Sequence, residues 1–336
     1  MLRLSCKVEI RGDQTWLFNA MTDCTIVTDT ATLTDTCHIR LPKKIKWEGQ
    51  PGMPVKKGDQ IRVWLGYNET LTLLFEGFIR KVSAGTPVSF ECEDNMFRLK
   101  TAGLEMSPEE KSIPDATLDV LIERLLQGTG FKHQVTDNGI RLGTYRITRN
   151  TVAEELAELQ KEYGLMTYFR VIGGKAVLYA GFSYPADNRT KEAFIYNQNI
   201  VSEKLEYRSQ EEIKLKVKAV SVREVNGETQ RETVEVGDKD GELRTVYRYG
   251  LTKEELEKHA RAELDRFKYS GFQGSFVTFG EPVIHKADIA YIENKNGDKG
   301  NYQIKKVETK FGTAGYRQTI TLGPVIRDLN SNIKLL

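Results

Sequence analysis

Two stretches of this 336-residue chain, one near each end, look like versions of the same β unit. The first runs from Pro54 to Val82 and the second from Pro282 to Val307. Each has an Asp that opens an alternating strand (Asp59 and Asp288), a turn, and a second strand that ends in two basic residues and Val. The offset is 288 − 59 = 229 at the Asp and 307 − 82 = 225 at the Val, so the second copy has the shorter turn. Two similar barrels on one chain can build a ring of six similar units from three chains.

The composition favours a soluble globular protein. Apolar residues make up 39% of the chain and the mean hydropathy is −0.45. No apolar run approaches the length of a membrane span, and the first residues alternate like a strand instead of forming a secretory core. A net charge of +2 argues neither for nor against nucleic acid as a partner.

The cysteines and histidines do not form a metal-binding pattern. No two cysteines form a C-x-x-C pair, which predicts reduced thiols in a protein made in a cytoplasm. No two histidines have the spacing of a helical or hairpin metal pair, so we expect no metal site. The residues concerned are Cys6, Cys24, Cys37, Cys92, His38, His133, His259 and His285.

Turn clusters and changes of periodicity predict an α+β fold that is mainly β, with two similar barrel-like β domains and an α/β insert. The expected segments are a first barrel-like β domain (1–104), an α/β insert domain (105–190), a β-rich connecting domain (191–250), a helix plus the second barrel-like β domain (251–325) and a C-terminal tail (326–336).

Three helices are predicted between the β regions. Apolar residues at helical spacing predict one over 118–126, which Gly128 and Gly130 follow. Capping-box patterns start the others, at Thr151 before a helix that Gly164 ends, and at Thr252 before a stripe that includes Leu256 and Ala260. Glu154 and Glu155 then have explanations in the cap and the helix dipole.

Carboxylates give one candidate for catalysis. Glu91, Glu93 and Asp94 lie at a strand end, and Glu91 and Glu93 share one strand face, which could suit acid–base work on a sugar. The sequence favours an ordinary solvated strand face, because no companion motif supports catalysis. Asp59 and Asp288 are interpreted as turn formers.

Paired basic residues recur in both copies. Arg80-Lys81 and Lys305-Lys306 precede Val82 and Val307, so they would repeat around a ring. They could face nucleic acid or an acidic partner. Ordinary charged strand surface is the favoured interpretation, because aromatic residues are not interleaved with them as in single-strand-binding surfaces.

Other catalytic patterns are missing from the sequence. There is no G-x-S-x-G elbow, and Gly173-Gly174 lacks the helix that a phosphate cradle needs. We therefore predict no catalytic, cofactor-binding or metal-ligating residue, no cofactor and no enzymatic activity.

Three features together resemble a known family. They are the β units around Gly58-Asp59 and Ala287-Asp288, the helix 151–163 that ends in Tyr163-Gly164-Leu165, and the segment 269–280 followed by 302–307 and 315–323. In this order and spacing they resemble the baseplate hub proteins of contractile phage tails, the late-control-D family. That family is also similar to the N-terminal part of the type VI secretion spike protein.

The resemblance covers most of the chain and implies a function. It implies a homotrimer whose barrel-like domains form a pseudo-six-fold ring, joining a hexameric tail tube to a trimeric spike. The insert would contact baseplate wedge components, and DNA would pass through the channel without tight binding. The protein would belong to the virion tail baseplate and be assembled in the host cytoplasm.

Two alternatives stay open at this stage. One is a cell-wall (peptidoglycan or glycan) hydrolase associated with a phage tail, with Glu91 or Glu93 as acid or base. The other is a module that binds nucleic acid or oligosaccharide through Arg80, Lys81, Lys305 and Lys306. The chain ends a few residues after Gly323, so a spike and any wall-degrading activity are expected on separate proteins.

Overall fold

The computed structural model describes residues 3–42, 47, 52–136, 140–172, 175–181, 189–225 and 228–326. The strands, in chain order, are β1 (Leu4–Arg11), β2 (Thr15–Phe18), β3 (Asp23–Asp29), β4 (Thr36–Arg40), β5 (Gln60–Tyr67), β6 (Thr70–Ser83), β7 (Ser89–Glu93), β8 (Ser112–Thr117), β9 (Lys132–Val135), β10 (Arg141–Arg146), β11 (Met166–Ile172), β12 (Lys175–Gly181), β13 (Lys191–Ile195), β14 (Ile200–Arg208), β15 (Leu215–Val225), β16 (Glu228–Gly237), β17 (Glu242–Tyr249), β18 (Gly271–Phe279), β19 (Ile289–Glu293), β20 (Lys299–Gly312) and β21 (Gly315–Val325). The α-helices are α1 (Met96–Thr101), α2 (Leu118–Leu126), α3 (Val152–Tyr163) and α4 (Lys253–Phe267). The predicted α+β, mainly β fold class is confirmed.

The chain forms two compact units. The first takes its described residues from the ranges Met1–Phe97, Arg189–Glu206 and Phe272–Leu336. The second takes them from Arg98–Asn188 and Tyr207–Gly271. The segments of the first unit that are most distant in sequence therefore meet in one body.

The first unit is built on one sheet of thirteen strands among the described residues. Its order is β14-β18-β21-β20-β3-β4-β7-β6-β5-β1-β2, and β13 joins through β19, which pairs with β20. The two expected barrel-like domains are therefore parts of a continuous sheet, and in the described residues this sheet does not close on itself. We call β1–β7 the first β module and β13, β14 and β18–β21 the second β module.

The first module has the alternating core that its sequence predicts. Ile61, Val63 and Leu65 of β5 are fully buried, while the residues between them are partly exposed. Ile61 pairs in register with Ile10 of β1 and Val63 with Val8, and both partners are also fully buried. Each such side chain contributes about 1.5–3 kcal/mol by leaving water. The period of two therefore decides which face of the sheet is covered.

Aromatic residues fill the core of the second module. The rings of Phe194 and Phe276 lie 4.7 Å apart, and both residues are buried. The Tyr302 side chain is also buried, and its hydroxyl accepts a 3.0 Å hydrogen bond from the Phe272 amide. This bond satisfies the one polar atom that the Tyr302 side chain brings into the core.

The second unit carries three smaller sheets, with strand orders β10-β8, β11-β12-β9 and β16-β15-β17. Its helix α2 buries all five apolar residues that predicted it (Leu118, Leu121, Ile122, Leu125 and Leu126). Thr151 and Glu154 form the predicted capping box of α3, and Gly164 ends the helix in the left-handed region at φ 67°. Both helix predictions are confirmed.

Helix α4 begins with the capping box predicted at Thr252 but belongs to the second unit. Its apolar residues Leu256 and Ala260 pack with Ala219 of β15. The sequence predicts this helix in one segment (251–325) with the second barrel-like β domain. In the structure, the alternation of β15 leaves an apolar face, and the apolar stripe of α4 covers that face.

Some sequence predictions fall outside the described residues, namely the Gly173-Gly174 connection and positions 327–336 of the expected tail. Within the described ranges, no helix combines the length and the apolar character needed to cross a bilayer.

Candidate functional site

Each β module opens with the same tight turn. The Lys56 amide donates a 2.9 Å hydrogen bond to Asp59 Oδ2, and the His285 amide donates a 3.0 Å hydrogen bond to Asp288 Oδ2. Both carboxylates are buried and hold the chain three residues upstream. The interpretation of Asp59 and Asp288 as turn formers is confirmed.

The residue before each Asp takes the same unusual backbone conformation. Gly58 has φ 93° and Ala287 has φ 71°, both in the left-handed region. Glycine adopts this region freely, whereas alanine pays for it, so the second module keeps the turn at a cost in strain.

The same pair of backbone hydrogen bonds joins each turn to the long strand of its module. Each bond is between 2.8 and 2.9 Å, and the pairs are Gly58 N to Ile79 O, Ile79 N to Asp59 O, Ala287 N to Ile304 O and Ile304 N to Asp288 O. The offset between the long strands is 304 − 79 = 225, the same offset that separates Val82 from Val307.

A bulge occurs at the same place in both modules. The pairing of β6 with β7 shifts register between Ile79 and Lys81, and that of β20 with β21 shifts between Ile304 and Lys306. Arg80 and Lys305, the first residues of the two basic pairs, are therefore the bulge residues. The repeat read from the sequence thus extends to backbone irregularities that no residue pattern specifies.

The two modules meet where β3 pairs with β20. This antiparallel ladder runs from Asp23 opposite Gly312 to Asp29 opposite Lys306. It is the step by which the strand order passes from one module to the other. We call it the internal joint.

A buried ion pair lies at one end of the internal joint. The Lys286 ammonium lies 2.7 Å from Asp35 Oδ1, and the side chains are only 11% and 15% exposed. Lys286 also donates a 3.4 Å hydrogen bond to the carbonyl of Asp29, the last residue of β3. The lysine of the second module therefore holds the end of a strand of the first.

A second carboxyl group shares this region. Burial, followed by the charge of Asp35, raises the pKa of Asp94 to about 7, against an ordinary value of 3.8. Burial also raises the pKa of Asp35, although Lys286 acts in the opposite direction. Asp94 Oδ1 accepts a 3.0 Å hydrogen bond from the Met96 amide at the start of α1. The cluster is thus placed to link the internal joint, the end of β7 and a helix start.

The candidate acids for catalysis are engaged by basic residues. Glu91 forms ion pairs with both Arg80 and Lys81, the latter at 3.6 Å. Glu93 Oε1 lies 3.5 Å from Arg80 Nε, and Glu93 is buried. The structure therefore brings these residues together as a charge network on adjoining strands and not as two carboxylates that face an open groove.

The basic pairs differ in their surroundings. Arg80 and Lys81 lie beside the acids just described, whereas Lys305 is exposed and Lys306 is half-buried on β20. Because Arg80 is neutralised locally, the repeat does not give equal positive charge in both modules.

The second unit has an open cleft of about 540 Å³. Two guanidinium groups line it, but each binds a carbonyl. Arg98 donates to Thr129 O at 3.1 Å and stacks on Phe131, while Arg124 donates to Glu110 O at 3.2 Å. Both guanidinium groups therefore stabilise the local fold through these hydrogen bonds.

Among the residues that the structure describes, no three His, Cys, Asp or Glu side chains are grouped so as to hold a metal ion. The four cysteines are free and buried, with Cys24 and Cys37 Sγ atoms 3.7 Å apart. Burial raises the pKa of the Cys37 and Cys92 thiols, which keeps them protonated and unreactive.

Sequence reasoning missed the Lys286–Asp35–Asp94 cluster. One signal was present: Lys57-Gly58-Asp59 and Lys286-Ala287-Asp288 share a Lys two residues before the Asp. The acidic partners come from a loop and a strand end in the other module, and no local pattern places them there.

Comparisons with known proteins give a fold but no sequence family. No protein-family model matches the chain, and no curated protein matches it. Among solved structures, the 43 kDa tail protein of prophage MuSo2 from Shewanella oneidensis is similar with a TM-score of 0.64 at 15% identity, over 95% of this chain and 97% of that one. A tail protein from Neisseria meningitidis gives 0.63 at 13% identity, over 95% and 96%.

A third match comes from a secretion system. An E. coli protein described as a component of the type VI secretion system, structurally similar to the bacteriophage T4 tail proteins gp27 and gp5, gives a TM-score of 0.55 at 11% identity. The alignment covers 94% of this chain and 76% of that one. The resemblance noted in the sequence is confirmed at the level of fold: this chain has the fold of phage tail proteins and of a type VI secretion component.

Proposed function

We propose that this chain is a structural component of a phage tail or a related injection machine, and that it acts there as the baseplate hub. Three copies form a pseudo-six-fold ring that joins a hexameric tail tube to a trimeric spike. The mechanism is geometric, because six similar surfaces from three chains match a six-fold partner on one side and a three-fold partner on the other.

One observation carries this proposal. The two β modules share the turn at Asp59 and Asp288, the bulge at Arg80 and Lys305, and a continuous sheet through the internal joint. A chain that already contains two similar modules side by side needs only a second, similar contact to close a ring. The likeness to phage tail proteins supports the same role.

The partners and location follow from this role. We expect the ring to bind the tail tube protein and the spike protein, and the second unit to contact wedge components. DNA would pass through the ring without tight binding. The particle would be a virion tail baseplate that is assembled in the cytoplasm of the bacterial host.

The hydrolase alternative has weaker support. Its candidate acids, Glu91 and Glu93, are ion-paired with Arg80, and Glu91 also pairs with Lys81. A catalytic carboxyl group must reach the substrate with an oxygen, and in this structure oxygens of both side chains are engaged in ion pairs instead. Zymography on cell-wall material is expected to show no clearing with this chain.

Native mass spectrometry tests the proposed assembly. A trimer should appear at about 115 kDa, three times the chain mass of 38.2 kDa. Co-expression with the tube and spike proteins encoded by the same phage genome should then yield one complex that contains all three. A chain that stays monomeric at micromolar concentration and above, with or without these partners, would contradict the hub.

A further inference from the structure

We propose that β14 of one chain pairs with the end of β6 in a second copy of this chain, repeating between chains the internal joint that β3 and β20 make within one. This inference rests on the proposed ring and specifies which strand edges form its contacts.

The repeat gives β14 a counterpart in the first module. In the first module, β4 pairs with β7 and places Ile39 opposite Phe90. In the second module, β18 pairs with β21 and places Phe276 opposite Ile320. The next strand outward is β3 beside β4, and β14 beside β18. β14 therefore has the same position in the strand order of the second module as β3 has in that of the first.

The same reasoning relates β20 to β6. Residues Lys306–Gly312 of β20 pair with β21 on one edge and with β3 on the other. At the offset of 225, Lys306 and Val307 correspond to Lys81 and Val82 of β6. The Gly58-Asp59 turn bonds to β6 at Ile79, and beyond Ile79 β6 pairs with β7, with no strand among those described beside its other edge. β14 likewise stands at one end of the strand order.

The two strands of the internal joint, β3 and β20, are more buried than their counterparts, β14 and the end of β6. In β3, Cys24 and Ile26 are buried, whereas none of the nine residues of β14 is buried and Val201 is 48% exposed. In β20, Val307 is buried, whereas its counterpart Val82 is only partly buried. A strand that leaves apolar residues open on both faces is suited to cover by another copy.

Lys57 gives independent support for a contact with another chain at this place. It corresponds to Lys286, since 286 − 57 = 229 as for the two Asp residues. Lys286 is buried against Asp35 and the end of β3, while Lys57 is exposed. In the proposed contact, Lys57 would lie near the end of the neighbour's β14, where the charged residues are Glu206 and the final Arg208.

The contact between chains should be shorter than the internal joint. The hairpin of β20 and β21 extends to Gly312 and Gly315, but β6 ends at Ser83. Strand addition over a few residues gives modest affinity for one contact, so closure of the ring is needed to hold all three.

The rival arrangement continues the sheet end to end. β2 stands at the other end of the strand order, and its Leu17 is 58% exposed. In that case β14 would pair with β2 of the next copy. The repeat argues against this, because β2 is not the counterpart of β20.

Disulfide trapping between strands distinguishes these arrangements. Two double variants test the proposed contact: Ser83→Cys with Glu206→Cys, and Ser83→Cys with Lys204→Cys. A third double variant, Leu17→Cys with Glu206→Cys, tests the rival arrangement. The native thiols are buried and free, so mild oxidation should leave them unlinked. We expect covalent dimers and trimers on a non-reducing gel from a Ser83 pair, and single chains from the Leu17 pair and from each single variant.

Native mass spectrometry of the same samples distinguishes a failure of the proposed strand contact from a failure of the proposed ring. A trimer in which only the Leu17 pair links, or no pair links, overturns the proposed edges and leaves the hub intact. A monomer at every concentration overturns the ring itself.

A matched pair of lysines gives a second measurement. Lys57→Ala should raise the concentration needed for trimer formation about tenfold, equal to roughly 1.4 kcal/mol. Lys56→Ala, which removes an exposed ion pair with Asp13, should leave it unchanged. Equal effects of the two substitutions would count against the proposal.

Discussion

Lys286 and Asp35 form a 2.7 Å ion pair between residues that lie 251 positions apart in the chain. Both side chains are largely buried, and Lys286 also contacts the carbonyl that ends β3. The pair thus fastens the second β module to the first at the internal joint.

Removing the lysine should therefore weaken the first unit. Lys286→Met leaves the Asp35 carboxylate buried without its partner, and breaking such a pair costs about 3–5 kcal/mol. Urea unfolding followed by tryptophan fluorescence measures the loss, because the three tryptophans lie in the first 64 residues. The double variant Lys286→Met with Asp35→Leu should recover much of it.

The exposed counterpart provides the control. Lys57→Met, measured on the monomer, should change the free energy of unfolding by less than about 0.5 kcal/mol, as is usual for surface positions. If Lys57→Met and Lys286→Met were equally harmful, the ion pair would not be the source of the stability.

The raised pKa of Asp94 predicts that the stability of the fold depends on pH. Its pKa of about 7 in the folded chain lies above its ordinary value of 3.8, so the folded chain binds this proton more tightly than the unfolded chain does. The stability that Asp94 contributes is complete below pH 4 and is lost as the pH rises from about 4 to about 7. Asp94→Asn removes the buried charge and keeps an oxygen for the Met96 amide.

We expect Asp94→Asn to raise the Tm at pH 8 and to leave it nearly unchanged at pH 4. The gain in stability at pH 8 should be on the order of 1 kcal/mol or more, since one pKa unit corresponds to about 1.4 kcal/mol. Asp240→Asn, at an exposed turn, serves as the control in calorimetry. A lower Tm for Asp94→Asn at pH 8 would refute the assignment.

Glu155 should be a stability centre of the second unit. Its carboxylate is fully buried and accepts hydrogen bonds from the Tyr145 hydroxyl (2.5 Å), the Thr148 amide (3.1 Å) and the Arg149 amide (2.8 Å). In Glu155→Gln, an NH₂ group would face donors, which should cost about 2 kcal/mol or more, whereas Tyr145→Phe should cost about 1 kcal/mol. Thermal unfolding by circular dichroism checks this order.

Glu158 is the control for that substitution, because it also meets Arg149 but through a partly exposed ion pair of 2.6 Å. Glu158→Gln should cost less than about 1 kcal/mol. The network would be unimportant if Glu155→Gln were no worse than Glu158→Gln.

Two glycines separate backbone strain from crowding. Gly164 and Gly128 both have left-handed φ values, 67° and 79°. A Cβ at Gly164 would lie 2.0 Å from the Tyr247 ring, whereas a Cβ at Gly128 would meet nothing within 4 Å. Gly128→Ala should cost about 1–2 kcal/mol from strain, and Gly164→Ala about 1–3 kcal/mol more from overpacking. Equal Tm losses would show that Tyr247 moves aside freely.

Local patterns predicted the helices because caps and apolar spacing act over a few residues. Thr151 with Glu154, and Thr252 with Glu255, needed no tertiary information. The role of Glu155 was only partly predicted, since its place in the first turn of α3 suggested the dipole and not the contacts with Tyr145 and Thr148.

Connections between strands were harder to predict. The turn from Asp238 to Gly241 suggests a hairpin in the sequence, yet β16 and β17 lie on opposite sides of β15. Gly241 instead lets the chain pass close to the backbone of Leu215, where a Cβ would lie only 2.5 Å from the Leu215 carbonyl carbon. Such a crossing depends on the packing of a distant strand, which the turn residues do not specify.

The repeat was predicted from Asp59, Asp288 and their basic pairs, but the continuous sheet was not. Its formation depends on β3 finding β20 across most of the chain, and strand pairing of that range leaves no short signature. The long sequence separation also explains why the cluster was not predicted, because Asp35 and Asp94 come close to Lys286 only in the folded chain.

Electron cryo-microscopy of the assembled chain tests the proposed ring directly. We expect a closed three-fold ring in which six similar β modules follow one another at steps of about 60°. In that ring, each β14 should lie beside the end of a neighbour's β6. A monomer, a two-fold dimer or a ring whose two kinds of module do not superimpose would contradict it.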